Sequence, residues 1–169
     1  MRKSTLLYPS VRVDRTAVGV VSQAGGVVLT ETARRSGVDR ALSQALLPWR
    51  PDGAVHDPGK VLLDLAVSLA VGGDCLADIG VLRAEPGVFG RVASDPTVSR
   101  MIDRLAADAD RVLAAIGEAT AQVRQQVWSL AGDRSPIHAA SAAAPVVIDV
   151  DATLVTAHSD KQRAAPADV

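Results

Sequence analysis

The chain has 169 residues, of which 48% are apolar and 22% charged, so it has enough apolar material for a hydrophobic core and global disorder is excluded. Aromatic residues make up only 2% and there is one cysteine, which favours helical packing and excludes a disulfide framework or a multi-cysteine zinc site. The net charge of −1 conceals a basic first segment, since residues 1–50 carry eight basic and three acidic side chains. Such a segment suits an anionic partner such as nucleic acid, or forms a solvated surface.

The beginning of the chain changes from an extended to a helical pattern. Alternating valines over residues 1–23 predict an extended or β segment. Helical spacing begins at Val27, and the glycine at Gly37 divides residues 27–47 into two short helices.

The next part of the chain predicts a loop followed by helices. Residues 48–57 are rich in proline and glycine and predict a loop. Asp57 is suited to cap a helix that starts at Pro58 and runs over residues 58–71. A further helix is predicted over about residues 74–84.

A long apolar stripe follows a capped helix start at Ser94–Thr97. Its spacings of three and four residues predict one long helix that is kinked at Gly117 and extends to about residue 130. The residues of the stripe before the kink are Val98, Met101, Ile102, Leu105, Ala109, Val112, Leu113 and Ile116.

The composition changes again near the end of the chain. Residues 145–155 are rich in β-branched side chains and predict a buried β-strand that carries two aspartates. We therefore expect three regions: a helical region over 1–134, a linker over 135–144, and the start of a second domain over 145–169.

The capped helix start resembles the beginning of a recognition helix, because small polar residues and arginines at a helix N-terminus suit phosphate and base contacts. With the preceding helix it gives a helix-turn-helix-like arrangement, although a well-capped packing helix explains the pattern as well. The candidate DNA-binding residues here are Thr97, Ser99, Arg100 and Arg104. The two short helices form a weaker second candidate, with Arg34, Arg35 and Arg40 facing outward.

Asp149 and Asp151 are two residues apart, so on a strand both carboxylates point to the same side. Paired carboxylates of this kind bind hard cations such as Mg²⁺, which clamp the reacting oxygens in phosphoryl transfer. A strand-end aspartate that caps a turn is the alternative. The order Asp149-Val150-Asp151-Ala152-Thr153 also resembles the opening of a haloacid-dehalogenase-type phosphatase.

Four stretches together resemble the N-terminal part of a bacterial insertion-sequence transposase of the DDE class. They are Gly72–Asp78, Val92–Arg100, Val147–Val155 and Ala157–Lys161, in that order. The resemblance implies a helical region that binds double-stranded DNA at the terminal inverted repeats of the element. It also implies a ribonuclease-H-like α/β catalytic domain that begins at the aspartate-containing strand.

In that class, an Asp-Asp-Glu set binds two Mg²⁺ or Mn²⁺ ions. The resemblance implies that Asp151 is the first catalytic metal ligand. Asp149 is the neighbour that could share or replace this role. Because the chain ends at Val169, the later Asp and Glu are missing. The expected protein is a truncated transposase, inactive alone. Its fold class is mainly α, with an extended or β N-terminal segment and the first strand of an incomplete ribonuclease-H-like domain.

Two other functions stay open at this point. One is a small Mg²⁺-dependent phosphohydrolase that uses Asp149 and Asp151, and the other is a non-catalytic helical interaction module. A homodimer is also left open. No apolar run is long enough for a transmembrane helix and no secretory leader is recognisable, so we expect a cytoplasmic protein without a membrane partner.

Overall fold

The computed structural model describes residues 7–11 and 25–150, and regular structure within these ranges is helical. The α-helices are α1 (Gly26–Ser36), α2 (Val38–Ala45), α3 (Pro58–Ala70), α4 (Ile79–Arg83), α5 (Pro86–Phe89), α6 (Asp95–Ala106) and α7 (Ala109–Ala131). Short 3₁₀ helices occupy Leu47–Trp49, Leu76–Asp78 and Gly132–Arg134. None of the helices in the described ranges is long and apolar enough to span a bilayer.

The turn between α1 and α2 lies at the predicted glycine. Gly37 has a φ of +79°, a left-handed conformation that is costly for residues with a Cβ atom. Its backbone N–H donates to the carbonyl oxygen of Ala33 at 3.1 Å and thereby closes the last turn of α1. The prediction of two short helices around this glycine is confirmed.

Helix α3 starts as the sequence predicts. The side chain of Asp57 accepts a hydrogen bond from the backbone N–H of Lys60 at 3.0 Å, and Pro58 occupies the first turn, where its missing N–H costs nothing. The helix packs against α1, α2 and α4, so most of its surface is covered. Its position determines where the neighbouring helices lie.

The close approach of α2 and α3 depends on Gly59. A Cβ atom at this position would lie 2.4 Å from the carbonyl carbon of Leu42 and the backbone nitrogen of Ser43. These are backbone atoms of α2 and cannot rotate away. Only glycine allows the two helices to pack at this distance.

Three groups of buried apolar residues surround α3. The largest joins α3 to α4, α5 and the start of α6 through Val61, Val67, Ile79, Leu82, Val88, Phe89, Val92, Ala93 and Val98. A second joins α1, α2, α3 and α7 through Tyr8, Ala33, Leu42, Leu63 and Ala119. A third, of Leu46, Leu105 and Val112, connects the end of α2 to α6 and α7. Few rings contribute, as the composition predicts.

A buried polar cluster joins the N-terminal segment to α3. The Tyr8 hydroxyl donates to Oδ1 of Asp64 at 2.9 Å, and Lys60 Nζ donates to both Asp64 carboxylate oxygens at 2.8 and 2.7 Å. Lys60 Nζ also lies 4.6 Å from the centre of the Tyr8 ring. Burial, and then the Asp64 charge, raises the pKa of Tyr8 well above its ordinary value, so its hydroxyl stays protonated. Burial also raises the pKa of Asp64, against the opposing effect of Lys60.

The predicted single helix after Ser94 is instead two helices, and the break lies at Ala107 and Asp108 rather than at Gly117. Asp108 leaves the helical conformation, with φ −135° and ψ 43°, and its carboxylate accepts hydrogen bonds from Trp49 Nε1 and Arg111 Nη1. The apolar stripe continues across the break because α6 and α7 both pack against the same core around Leu46. Periodicity alone therefore could not reveal the break.

The predicted fold class is wrong in its β elements. No strand occurs within residues 7–11 or 25–150. Residues 145–150, the described part of the predicted strand, are irregular and exposed: Val147 and Ile148 are each 79% exposed and Val150 is 89% exposed. β-branched residues favour a strand only where a sheet partner satisfies the backbone groups, and no described segment supplies one. Of the extended segment predicted over residues 1–23, residues 7–11 are irregular, and residues 1–6 and 12–23 lie outside the described residues.

Substituting Gly59 with alanine tests the contact between α2 and α3. We expect Gly59→Ala to lower the free energy of unfolding by about 1–3 kcal/mol or more, because the added methyl group overlaps fixed backbone atoms. Urea denaturation followed by circular dichroism measures this change.

The matched control is Gly117→Ala in the middle of α7. No atom lies within 4 Å of the added Cβ, so we expect stabilisation by roughly 0.5–1 kcal/mol from helix propensity. Equal effects of the two substitutions would contradict the close approach at Gly59.

The buried Lys60–Asp64 pair generates a second prediction. Lys60→Met leaves Asp64 buried without its cation, and we expect a loss of about 3–5 kcal/mol in the free energy of unfolding. The double variant Lys60→Met/Asp64→Leu should lose less than the sum of the two single variants, because it leaves no uncompensated charge. Additive losses in urea denaturation would show that the two side chains are not coupled.

Candidate nucleic-acid interface

An open cleft of about 420 Å³ lies between α6 and the loop that precedes α3. One wall comes from α6, the other from the loop over residues 49–58, and Val61 of α3 and Arg91 complete the lining. The lining residues are Trp49, Pro51, Ala54, Val55, His56, Pro58, Val61, Arg91, Thr97, Arg100, Met101 and Arg104.

The charge in this cleft is uncompensated. The lining contains Arg91, Arg100 and Arg104 and has no carboxylate. Among the described residues, no acidic group lies within salt-bridge distance of any of these three arginines. Some other arginines are paired, as in Arg83 with Asp95 and Arg111 with Asp108. The fold therefore concentrates positive charge at a concave surface, which favours an anionic ligand.

Three of the four residues predicted on α6 line this cleft. Thr97, Arg100 and Arg104 are spaced by three and four residues, so they share one face of the helix. Nη2 of Arg100 donates to Oγ1 of Thr97 at 3.3 Å, which holds the guanidinium group at the edge of the cleft. Ser99 lies outside the lining and is exposed, since two residues correspond to about half a helical turn.

The loop wall is held in one conformation by its own hydrogen bonds. Nη2 of Arg50 donates to the carbonyl oxygen of Ala54 at 3.0 Å, and the Ala54 N–H donates to the Pro51 carbonyl oxygen at 3.1 Å. The Asp57 carboxylate, which caps α3, also lies 3.5 Å from Arg50 Nη1 and accepts from the Ser43 hydroxyl at 2.8 Å. The wall is thus tied to both α2 and α3.

Trp49 is the aromatic residue of the cleft and is fixed by the break between α6 and α7. Its Nε1–H donates to Oδ2 of Asp108 at 3.1 Å, and the guanidinium of Arg111 lies 5.7 Å from the ring centre. The aspartate that ends the helical run thereby positions the ring against α6.

His56 connects this cleft to a second one. The second cleft, of about 630 Å³, shares Val55, His56, Val61 and Arg91 with the first, and also contains the segment around Leu7 and Pro9. Burial, and then the charges of Arg91 and Lys60, lower the pKa of His56 below its ordinary value of 6.5. The imidazole of His56 is therefore neutral at pH 7. An anion bound nearby would favour its protonated, charged form.

The second predicted set of DNA-binding residues is not brought together with the cleft. Arg34 and Arg35 both bind Glu31, at 2.7 and 2.6 Å, and the hydrogen bonds from these arginines lower the pKa of Glu31 to about 2. Arg40 is exposed at the start of α2 and does not line the cleft. Arg34 and Arg35 thus share one carboxylate within α1, which offsets one of their two positive charges.

The predicted catalytic pair is described only in part. Asp151 lies outside the described residues, and Asp149 is exposed in an irregular segment. Within the described part of the chain, the acidic and sulfur groups that come close enough for a metal are Asp74, Cys75 and Asp78. That grouping has a structural cause, since Oδ2 of Asp78 accepts from the backbone N–H groups of Asp74 and Cys75, both at 2.9 Å. The described residues therefore do not form the two-metal site that the resemblance implies.

Sequence reasoning missed Trp49, His56 and Arg91 as site residues. One feature of the sequence could have indicated Trp49. Its aromatic ring lies in the loop sequence Pro-Trp-Arg-Pro and belongs to no apolar stripe of a predicted helix. No feature of the sequence could have indicated Arg91, because only the packing of α5 and α6 places it opposite the loop.

Comparison with known protein families matches residues 3–168 to the family described as transposase DDE domain group 1. No curated protein and no solved structure matches the chain. The family acts on DNA in general and generally uses a divalent metal ion. The match covers nearly the whole chain and confirms the resemblance that the four sequence stretches indicate. The chain belongs to the transposase DDE domain group 1 family.

Proposed function

We propose that the helical region is a DNA-binding part of a DDE transposase and that it binds DNA phosphates through the cleft between α6 and the loop before α3. The observation that carries the proposal is the convergence of Arg91, Arg100 and Arg104 without a carboxylate partner among the described residues. Family membership makes DNA the general partner.

The chemistry of the cleft suits a phosphate backbone. Guanidinium groups donate two parallel hydrogen bonds to a phosphate, and such charge-assisted bonds are stronger than neutral ones. Thr97 adds a hydroxyl in the first turn of α6, where backbone N–H groups and the helix dipole also favour an anion. Ser99 is exposed on another face of α6, so we expect it to contribute less to phosphate binding than Thr97.

The finer assignments extend this proposal. The DNA is that of the terminal inverted repeats, and Asp151, with Asp149 beside it, supplies the first metal ligand of the catalytic domain. Asp149 is not among the residues that line the cleft. A homodimer would bring two such clefts together, and analytical ultracentrifugation of the chain with and without DNA tests this.

The salt dependence of DNA affinity tests the cleft. We expect Arg100→Ala and Arg104→Ala each to weaken binding to a labelled duplex of random sequence and to reduce the slope of log affinity against log salt by about 1. The reason is that each lost phosphate contact leaves one fewer counterion to be released. Fluorescence anisotropy at several salt concentrations measures both quantities.

The control is Arg124→Ala, which removes an equal charge from an exposed position on α7 outside the cleft. This variant should keep the wild-type slope. If Arg40→Ala weakens DNA binding and Arg100→Ala does not, the interface lies instead on the second candidate surface, on α1 and α2.

The affinity should also depend on pH through His56. Its pKa lies below 6.5 in the free protein, and a bound phosphate favours the charged imidazole, so binding takes up a proton. DNA affinity should therefore rise as the pH falls from about 7.5 to about 5.5, and the rise should be smaller in His56→Gln. Identical pH profiles for the two proteins would remove His56 from the interface.

A further inference from the structure

We infer that the cleft binds one unpaired nucleotide of the DNA, with its base on the apolar floor and its flanking phosphates on the arginines at the rim. The inference rests on the proposed function and specifies what the DNA must present. It follows from features of the cleft that phosphate binding alone does not explain.

The first feature is the contrast between the floor and the rim. Val61 is buried and Trp49 and Met101 are half-buried, so they form an apolar floor, while the exposed Arg91, Arg100 and Arg104 lie at the rim. The backbone of a paired duplex presents phosphates and sugar edges to such a surface, and the flat apolar faces of its bases are hidden by stacking. An unstacked base has an apolar face for the floor and remains attached to the phosphates that the arginines bind.

The second feature is the size of the cleft. Its volume of about 420 Å³ falls in the range of roughly 300–1,000 Å³ that is typical of pockets for small organic molecules. A single phosphate group would leave most of this volume empty, whereas a nucleotide fills it. The second cleft, of about 630 Å³, shares His56 and Arg91 with the first. It offers room for the neighbouring nucleotides of the same DNA strand.

The third feature is that the cleft is already formed without DNA. The Arg50–Ala54 hydrogen bond fixes the loop wall, and the Trp49–Asp108 hydrogen bond fixes the ring. Met101, an unbranched and polarizable side chain, can adjust to different bases on the opposite side. A rigid aromatic surface with an adaptable neighbour binds any base by stacking, with little sequence preference.

The test compares three duplexes of equal length and sequence, bound to the full chain. One is completely paired, one carries a single bulged adenosine, and one carries an abasic residue at the bulge. The bulged and abasic duplexes share the same backbone distortion and differ only in the base. We expect the bulged adenosine to raise affinity at least about fivefold over both other duplexes, as stacking of one base predicts.

Equal affinity for the bulged and abasic duplexes would overturn the inference, while binding of all three that is weakened by Arg100→Ala would leave the proposed function intact. The absence of arginine-dependent binding to any of them would overturn both.

Variants at Trp49 locate the base. Trp49→Phe keeps an aromatic ring and should retain most of the preference for the bulged over the abasic duplex, whereas Trp49→Leu should lose that preference. A preference that is unchanged in Trp49→Leu would place the base elsewhere and overturn the assignment. The comparison of bulged and abasic duplexes on the wild-type chain stands even where Trp49→Leu unfolds the protein.

Discussion

The contact between α2 and α3 at Gly59 is the constraint on which the rest of the structure depends. The backbones approach so closely that no side chain fits between them, and this fixes α3 against the turn that begins at Leu42 and Ser43. Asp57, two residues before Gly59, caps α3 and at the same time accepts a hydrogen bond from Ser43, so the loop before α3 is tied to α2 as well. The loop wall of the basic cleft is therefore a product of helix packing.

The other wall depends on how α6 and α7 meet. A continuous helix would have left Asp108 on a helical surface, and the indole of Trp49 would have had no acceptor there. The break turns the Asp108 carboxylate toward both Trp49 and Arg111. Val98 at the start of α6 is fully buried in the largest core group, so the opposite face, with Thr97, Arg100 and Arg104, is held over the cleft. One face of α6 thus packs in the core, and another face of the same helix lines the cleft.

Local signals made part of this structure predictable. The turn at Gly37 and the start at Asp57 and Pro58 follow from backbone chemistry that a few adjacent residues carry, and three of the four candidate residues on α6 share a face because of helical spacing. The features that the sequence did not predict correctly depend on contacts between residues far apart in the chain. The predicted strand over residues 145–155 depends on a partner that no described segment provides, and Arg91 enters the cleft only through tertiary packing. For the aspartates of that strand, the family match is the remaining support.

The arginines of the cleft, which form no salt bridge with any described residue, affect the stability of the free protein. Like charges held together repel one another, so the protein without DNA is less stable than the same fold with a neutral cleft would be. Replacing one of these arginines with a neutral residue should therefore raise the free energy of unfolding slightly, as is common where a surface is built for binding. Under the proposed function, bound phosphates offset this repulsion, so binding of DNA should raise the free energy of unfolding of the chain.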